Sequence, residues 1–195
     1  MNNKIRQIMF VSCILLAFLL QIGNNSALAL SPCPISVLAL KDLVVTPDEM
    51  KEWGDFSRPH DVTNEIADMC LHDCVKVTWG TTSDRLVLLM IRLKNPLNAR
   101  RAAKSLQETY QSFGDRFLPY PNTENETQWS GWVQYSKDKF QWVAGDTQGS
   151  VLIFISYRKI LNQFVADIDG GFYMDMVQSL TRIQKEKLRE AGFAQ

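Results

Sequence analysis

The chain has 195 residues, 46% of them hydrophobic, with 21 Lys plus Arg set against 21 Asp plus Glu. That balance excludes a disordered polyelectrolyte and leaves no excess of cations for a phosphate-binding surface, so nucleic acid is not an expected partner. The length suits one domain that buries roughly 70% of the surface its unfolded chain exposes.

Residues 1–29 read as a secretory signal peptide. Lys4 and Arg6 make a basic start, Ile8 to Ile22 is apolar, and Ala27-Leu28-Ala29 places small residues where a signal peptidase needs them. The competing reading is a retained anchor, but that run falls short of the ~20 residues needed to cross the hydrocarbon core. An uncleaved signal segment is the only membrane contact expected. Cleavage removes two basic residues, leaving 19 against 21 acidic ones. Residues 30–195 then form a single α+β domain working outside the cytoplasm, secreted or in the cell envelope.

Cys13 leaves with the signal, so Cys33, Cys70 and Cys74 remain, and an oxidising compartment favours one disulfide among them. In the chain-entropy model a loop of about 40 residues is worth ~4 kcal/mol, against ~2 for the short Cys70 to Cys74 loop. Cys33 with Cys70 or Cys74 is therefore the expected pairing. A lipid on Cys33 would instead leave Cys70 to pair with Cys74, but Pro32 stands where such a motif needs a small residue. Cys70 and Cys74 can meet if they lie on one helical turn, about 6 Å apart, and not if they lie in one strand, ~13 Å apart.

After Cys33, Ile35 to Leu40 is apolar without a decisive period. Thr46-Pro47-Asp48-Glu49 has the spacing of a capping box and starts a short helix that Gly54 ends. Residues 63–71 carry apolar groups at helix-like spacing. From Val75 the pattern alternates, with Val77 and Trp79 inward, and residues 80–84 turn the chain into the continuous apolar run Leu86 to Ile91. Together these predict an antiparallel hairpin. Asn95 then caps a helix with Pro96 at its first position, and Ala99, Ala102, Ala103, Leu106, Tyr110 and Phe113 form its inward stripe. Gly114 stops it.

Pro119 to Gln128 reads as a long loop and contains the sequon Asn125-Glu126-Thr127. Three meander strands follow, Trp129 to Ser136, Phe140 to Ala144 and Ser150 to Arg158, the last two joined by residues 145–149. A helical turn or two fits residues 160–168. Tyr173, Met176, Val177, Leu180, Ile183 and Leu188 stripe a terminal helix that Gly192 closes. The expected fold is one antiparallel sheet of about five strands, hairpin plus meander, with two longer helices packed on one face.

No nucleophile elbow, zinc-protease motif or phosphate loop is present in the sequence, and neither His60 nor His72 has a nucleophile marked beside it. No cofactor is expected and a non-enzymatic role is favoured. A carboxylate-based hydrolase would need an acidic pair brought together by the fold. Cys70-Leu71-His72-Asp73-Cys74 is the densest set of metal-ligating groups, so a metal-binding or thiol-redox protein centred on Cys70, His72 and Cys74 is the alternative. Asp167-Ile168-Asp169-Gly170-Gly171 resembles the start of a calcium loop, without the later ligands. The leading expectation is a binding or interaction protein that meets a protein or glycan partner through Trp132, Trp129 and Tyr120. Trp132 is the most promising, because Ser130 and Gln134 flank it on its own face of the strand.

Overall fold

A computed structural model describes residues 38–70, 72–120, 127–160 and 170–193. The signal segment, Cys33, residues 121–126 with the first two positions of the sequon, the ambiguous residues 161–168 and the acidic part of the calcium-like run lie outside the described residues. No helix among the described residues is long and apolar enough to cross a membrane.

The strands are β1 (His60–Asp61), β2 (Cys74–Gly80), β3 (Asp84–Arg92), β4 (Phe117–Tyr120), β5 (Trp129–Ser136), β6 (Lys139–Gln148) and β7 (Val151–Ile160). The helices are α1 (Pro47–Met50), α2 (Pro96–Gln111) and α3 (Gly170–Glu190). Among the described residues, seven strands join one sheet in the order β1-β2-β3-β7-β6-β5-β4, with every pair antiparallel. The fold is α+β, as expected, but with two more strands than the sequence predicts. Both additions are edges too short to show a period, and β4 occupies the start of the expected loop. The turn expected over residues 145–149 is also shorter. Strand β6 runs to Gln148, which pairs with Val151 across the two-residue turn Gly149-Ser150. Gly149 has φ +54° there, a conformation that suits glycine at the first central position of a hairpin turn.

A second correction concerns the helices, which cover opposite faces of the sheet. Alternation along β7 sends Val151, Ile153, Ile155 and Tyr157 into a core with Met174, Val177, Leu180 and Leu188 of α3. Leu152 and Phe154 point the other way, into a core with Ala99, Ala102 and Ala103 of α2. The physical reason is the apolar run in β3. Leu86, Leu88 and Met90 are buried on the α3 side, and Leu89 and Ile91 on the α2 side, so both faces need a cover. Each such buried side chain contributes roughly 1.5–3 kcal/mol of transfer free energy.

Local signals set the helix ends. Asn95 Oδ1 accepts the Asn98 N–H at 2.8 Å, with Pro96 at the first position. At the end of α3 the Phe193 N–H donates to the Leu188 carbonyl and the Gly192 N–H to the Arg189 carbonyl, both at 3.0 Å. With Gly192 at φ +89° this is a Schellman closure, and Phe193 and Leu188 bury together beside it. Gln184 ties α3 to the N-terminal segment, donating to the Leu43 carbonyl at 2.8 Å and accepting the Val45 N–H at 3.2 Å.

Candidate functional site

The most open apolar surface among the expected contact residues lies at the β4–β5 edge. Phe117 turns inward because Gly131 has no side chain to block its ring; a Cβ there would stand 2.5 Å from it. With Phe117 on the α2 side, the strand period sends Leu118 and Tyr120 to the α3 side, where they are 46% and 41% exposed. Leu118 pairs with Trp132 and Tyr120 with Ser130, so both project beside Trp132 on that face. Pro119, between them, offers no N–H from the edge strand, which weakens it as a template for further strands.

Trp132 is half-buried. Its ring centroid lies 6.0 Å from that of Phe140, which stacks on Trp142 at 6.1 Å, and Trp142 meets Tyr173 of α3 at 4.7 Å. Trp132 is therefore the outer member of an aromatic row that enters the core. A cleft of about 310 Å³ opens beside it, lined by Asp115, Arg116, Leu118, Gln134, Tyr135, Ser136 and Lys137. Burial pushes the Tyr135 phenol up to about 12, with Arg158 opposing, and its hydroxyl donates to Gln141 Oε1 at 2.8 Å. Tyr135 is thus a neutral, fixed wall at ordinary pH. The arrangement can seat a flat apolar group on an indole with charged groups of both signs at the rim.

The other expected contact residues divide. Tyr120 is exposed on the same face as Trp132, whereas Trp129 is only 4% exposed. Its ring packs at 5.5 Å from Tyr110 and 6.2 Å from Phe154, on the opposite face from Trp132. Trp129 belongs to the core under α2, which removes it from the accessible surface. Ser130 is also drier than its polarity suggests, being buried and accepting a 2.8 Å bond from Gln178 Nε2.

At the other edge, Cys70 and Cys74 form a disulfide with Cα atoms 5.9 Å apart. This corrects the expected pairing with Cys33. The two sit neither on one α-helical turn nor in one strand: Cys70 follows a 3-10 turn, Ala67–Met69, and Cys74 opens β2. His72 is exposed, and the two sulfurs that a metal would need are bonded to each other. No group of three metal-ligating residues occurs among the described residues.

The sequence reading missed a polar cluster at the far end of the α3 face. Tyr157 Oη donates to Asp84 Oδ1, and Lys159 Nζ lies 2.8 Å from Tyr173 Oη and 3.6 Å from Asp84. Burial and the neighbouring Asp84 carboxylate raise the Tyr157 phenol far above its ordinary value. For Lys159, burial acts to lower the pKa, but the Tyr173 bond and Asp84 outweigh it and raise it. The only sequence signal was the i, i+2 spacing of Tyr157 and Lys159, which says nothing about a partner 73 residues away.

No family model matches the chain, and no curated protein matches it. Among solved structures it is similar to the extracellular domain of PknH from Mycobacterium tuberculosis, at 7% identity and a TM-score of 0.43 over 77% of this chain and 94% of that one. A likeness that distant transfers no function.

Proposed function

We propose that this is an exported, non-enzymatic binding domain whose contact surface is the β4–β5 edge, with Trp132 at its centre. The supporting observation is the pairing of a half-buried Trp132 with Leu118 and Tyr120, exposed on the same face and beside a cleft. An edge that served stability alone would gain from burying those side chains, since aromatic and aliphatic groups contribute through area removed from water. Work outside the cytoplasm is supported by the Cys70–Cys74 disulfide, because such bonds persist in oxidising compartments.

The partner places a flat apolar surface on Trp132, either a sugar ring or a side chain of a protein. Capture of partners from the native envelope with the wild-type protein and with Trp132→Ala tests this reading. Loss of the captured species in the variant, with its unfolding midpoint held near that of the wild type, is the expected result. Undiminished capture by the variant would refute it.

A further inference from the structure

Strand register places two arginines directly opposite each other on two inner strands of the sheet, near one end of each. Arg85 of β3 pairs with Arg158 of β7, on the face that carries α2. Opposite residues in adjacent strands have Cβ atoms about 5 Å apart, and like charges at that position destabilise the pair. A sequence under no other demand would separate them or supply a carboxylate between them. Neither has happened among the described residues, where no ion pair involves either guanidinium.

Among the described residues, the neighbours of this pair across the strands add no negative charge. In the same transverse row Arg85 is flanked by Gly80, which has no side chain, and Arg158 by Gln141. Gln141 is neutral, and its Oε1 already accepts from Tyr135. The adjoining row on this face is Thr78, Val87 and Ser156. Arg158 donates one bond to the Thr82 carbonyl at 3.2 Å, but its Nε is buried without a partner. Burial, and then the charge of Arg85, lower the pKa of Arg158, the direction expected for a cation short of counter-charge. Both side chains remain partly open to solvent.

We infer that Arg85 and Arg158 form a binding site for a dianionic tetrahedral oxyanion, a phosphate- or sulfate-type group. Two guanidinium forks carry two positive charges and can each offer parallel N–H donors to separate oxygens of one such anion. A single carboxylate would leave one charge uncompensated. The site lies on the opposite face from Trp132, and its assignment does not depend on the role of that residue.

The test is thermal unfolding of the full protein purified from its native host, at low ionic strength. Sodium sulfate, sodium phosphate and glycerol phosphate are each compared with sodium chloride at matched ionic strength. Sulfate and phosphate are expected to raise the wild-type Tm by about 3 °C above chloride. Arg85→Gln and Arg158→Gln lose that increment, and in chloride Arg85→Gln unfolds no lower than the wild type, because the repulsion is gone. Should Arg158→Gln fail to fold, Arg85→Gln carries the comparison. A rise with glycerol phosphate as well assigns the site to a phosphate group on a larger ligand; a rise with the inorganic anions alone assigns it to the free ion. Equal shifts in matched chloride, or an increment that survives Arg85→Gln, would overturn the assignment.

Discussion

The indole of Trp129 lies across Gly145 so closely that a Cβ added at Gly145 would stand 2.5 Å from Trp129 Nε1. The two residues are directly paired between β5 and β6, and the missing side chain on one strand makes room for the large ring of the other. Gly145→Ala should therefore destabilise the protein by about 1–3 kcal/mol through overpacking, measured by urea unfolding. Trp129→Phe in the same chain should recover part of that loss, giving a non-additive double-mutant cycle.

A buried ion pair fastens α3 to β6. Asp146, 1% exposed, lies 2.7 Å from Lys185 Nζ and also accepts from Thr127 Oγ1 at 2.9 Å and from the Thr147 N–H at 2.7 Å. Removing the lysine leaves the carboxylate buried without its cation, whereas removing the carboxylate leaves an ammonium that can reach water. Lys185→Met should cost about 3 kcal/mol or more, and Asp146→Asn clearly less. Equal costs in denaturant unfolding would count against this account of the pair.

The Cys70–Cys74 bridge closes a five-residue loop, as the sequence separation of 4 implies. Loop-closure entropy assigns it ~2 kcal/mol. Cys74→Ser should lower stability by up to that amount and should leave the β2–β3 hairpin paired, since β2 is held by β3 along its whole length. Peptide mapping without reduction should find Cys70 joined to Cys74 and Cys33 alkylated.

Glu49 joins α1 to α3. Its Oε2 accepts the Thr46 N–H at 2.6 Å and lies 2.9 Å from Lys187 Nζ. Burial acts to raise its pKa, but the Thr46 bond and Lys187 together outweigh it and hold the carboxyl below its ordinary value. A folded-state pKa below the unfolded one gives stability that is full above about pH 4.5 and is lost as pH falls through the lower, folded value. The stability gap between wild type and Glu49→Gln should thus be constant near neutrality and close in acid. A gap independent of pH would show that the charge contributes nothing.

Much of the fold was legible because it is written locally. The Asn95 cap with Pro96, the Ala99 to Phe113 stripe, the alternation from Val75 and the Gly192 closure each specify their element from neighbouring residues. What was not legible depends on partners distant in the chain. The continuous run Leu86 to Ile91 is buried on both faces, yet nothing local says that α2 takes one face and α3 the other. His60-Asp61 and Phe117 to Tyr120 are strands only because β2 and β5 offer edges to pair with. Asp146, Thr147 and Gln148 read as a polar turn because Lys185, which donates to Asp146, and the Phe193 carbonyl, which accepts from Gln148, lie some 40 residues away. At the candidate site, the side of the strand that Trp132 faces was readable from period two. The burial of Trp129 was not, since it requires α2 and Gly145 to be in place.

The most direct measurement of the central claim is site-specific photo-crosslinking in the native host. A photoreactive residue replaces Leu118 in one strain and Leu97 in another; Leu97 is 55% exposed on α2, and Leu118 is 46% exposed beside Trp132. A discrete adduct of defined mass at position 118, absent at 97, is the predicted result. Adducts at 97 alone, or the same adducts at both positions, would contradict a contact surface at the β4–β5 edge.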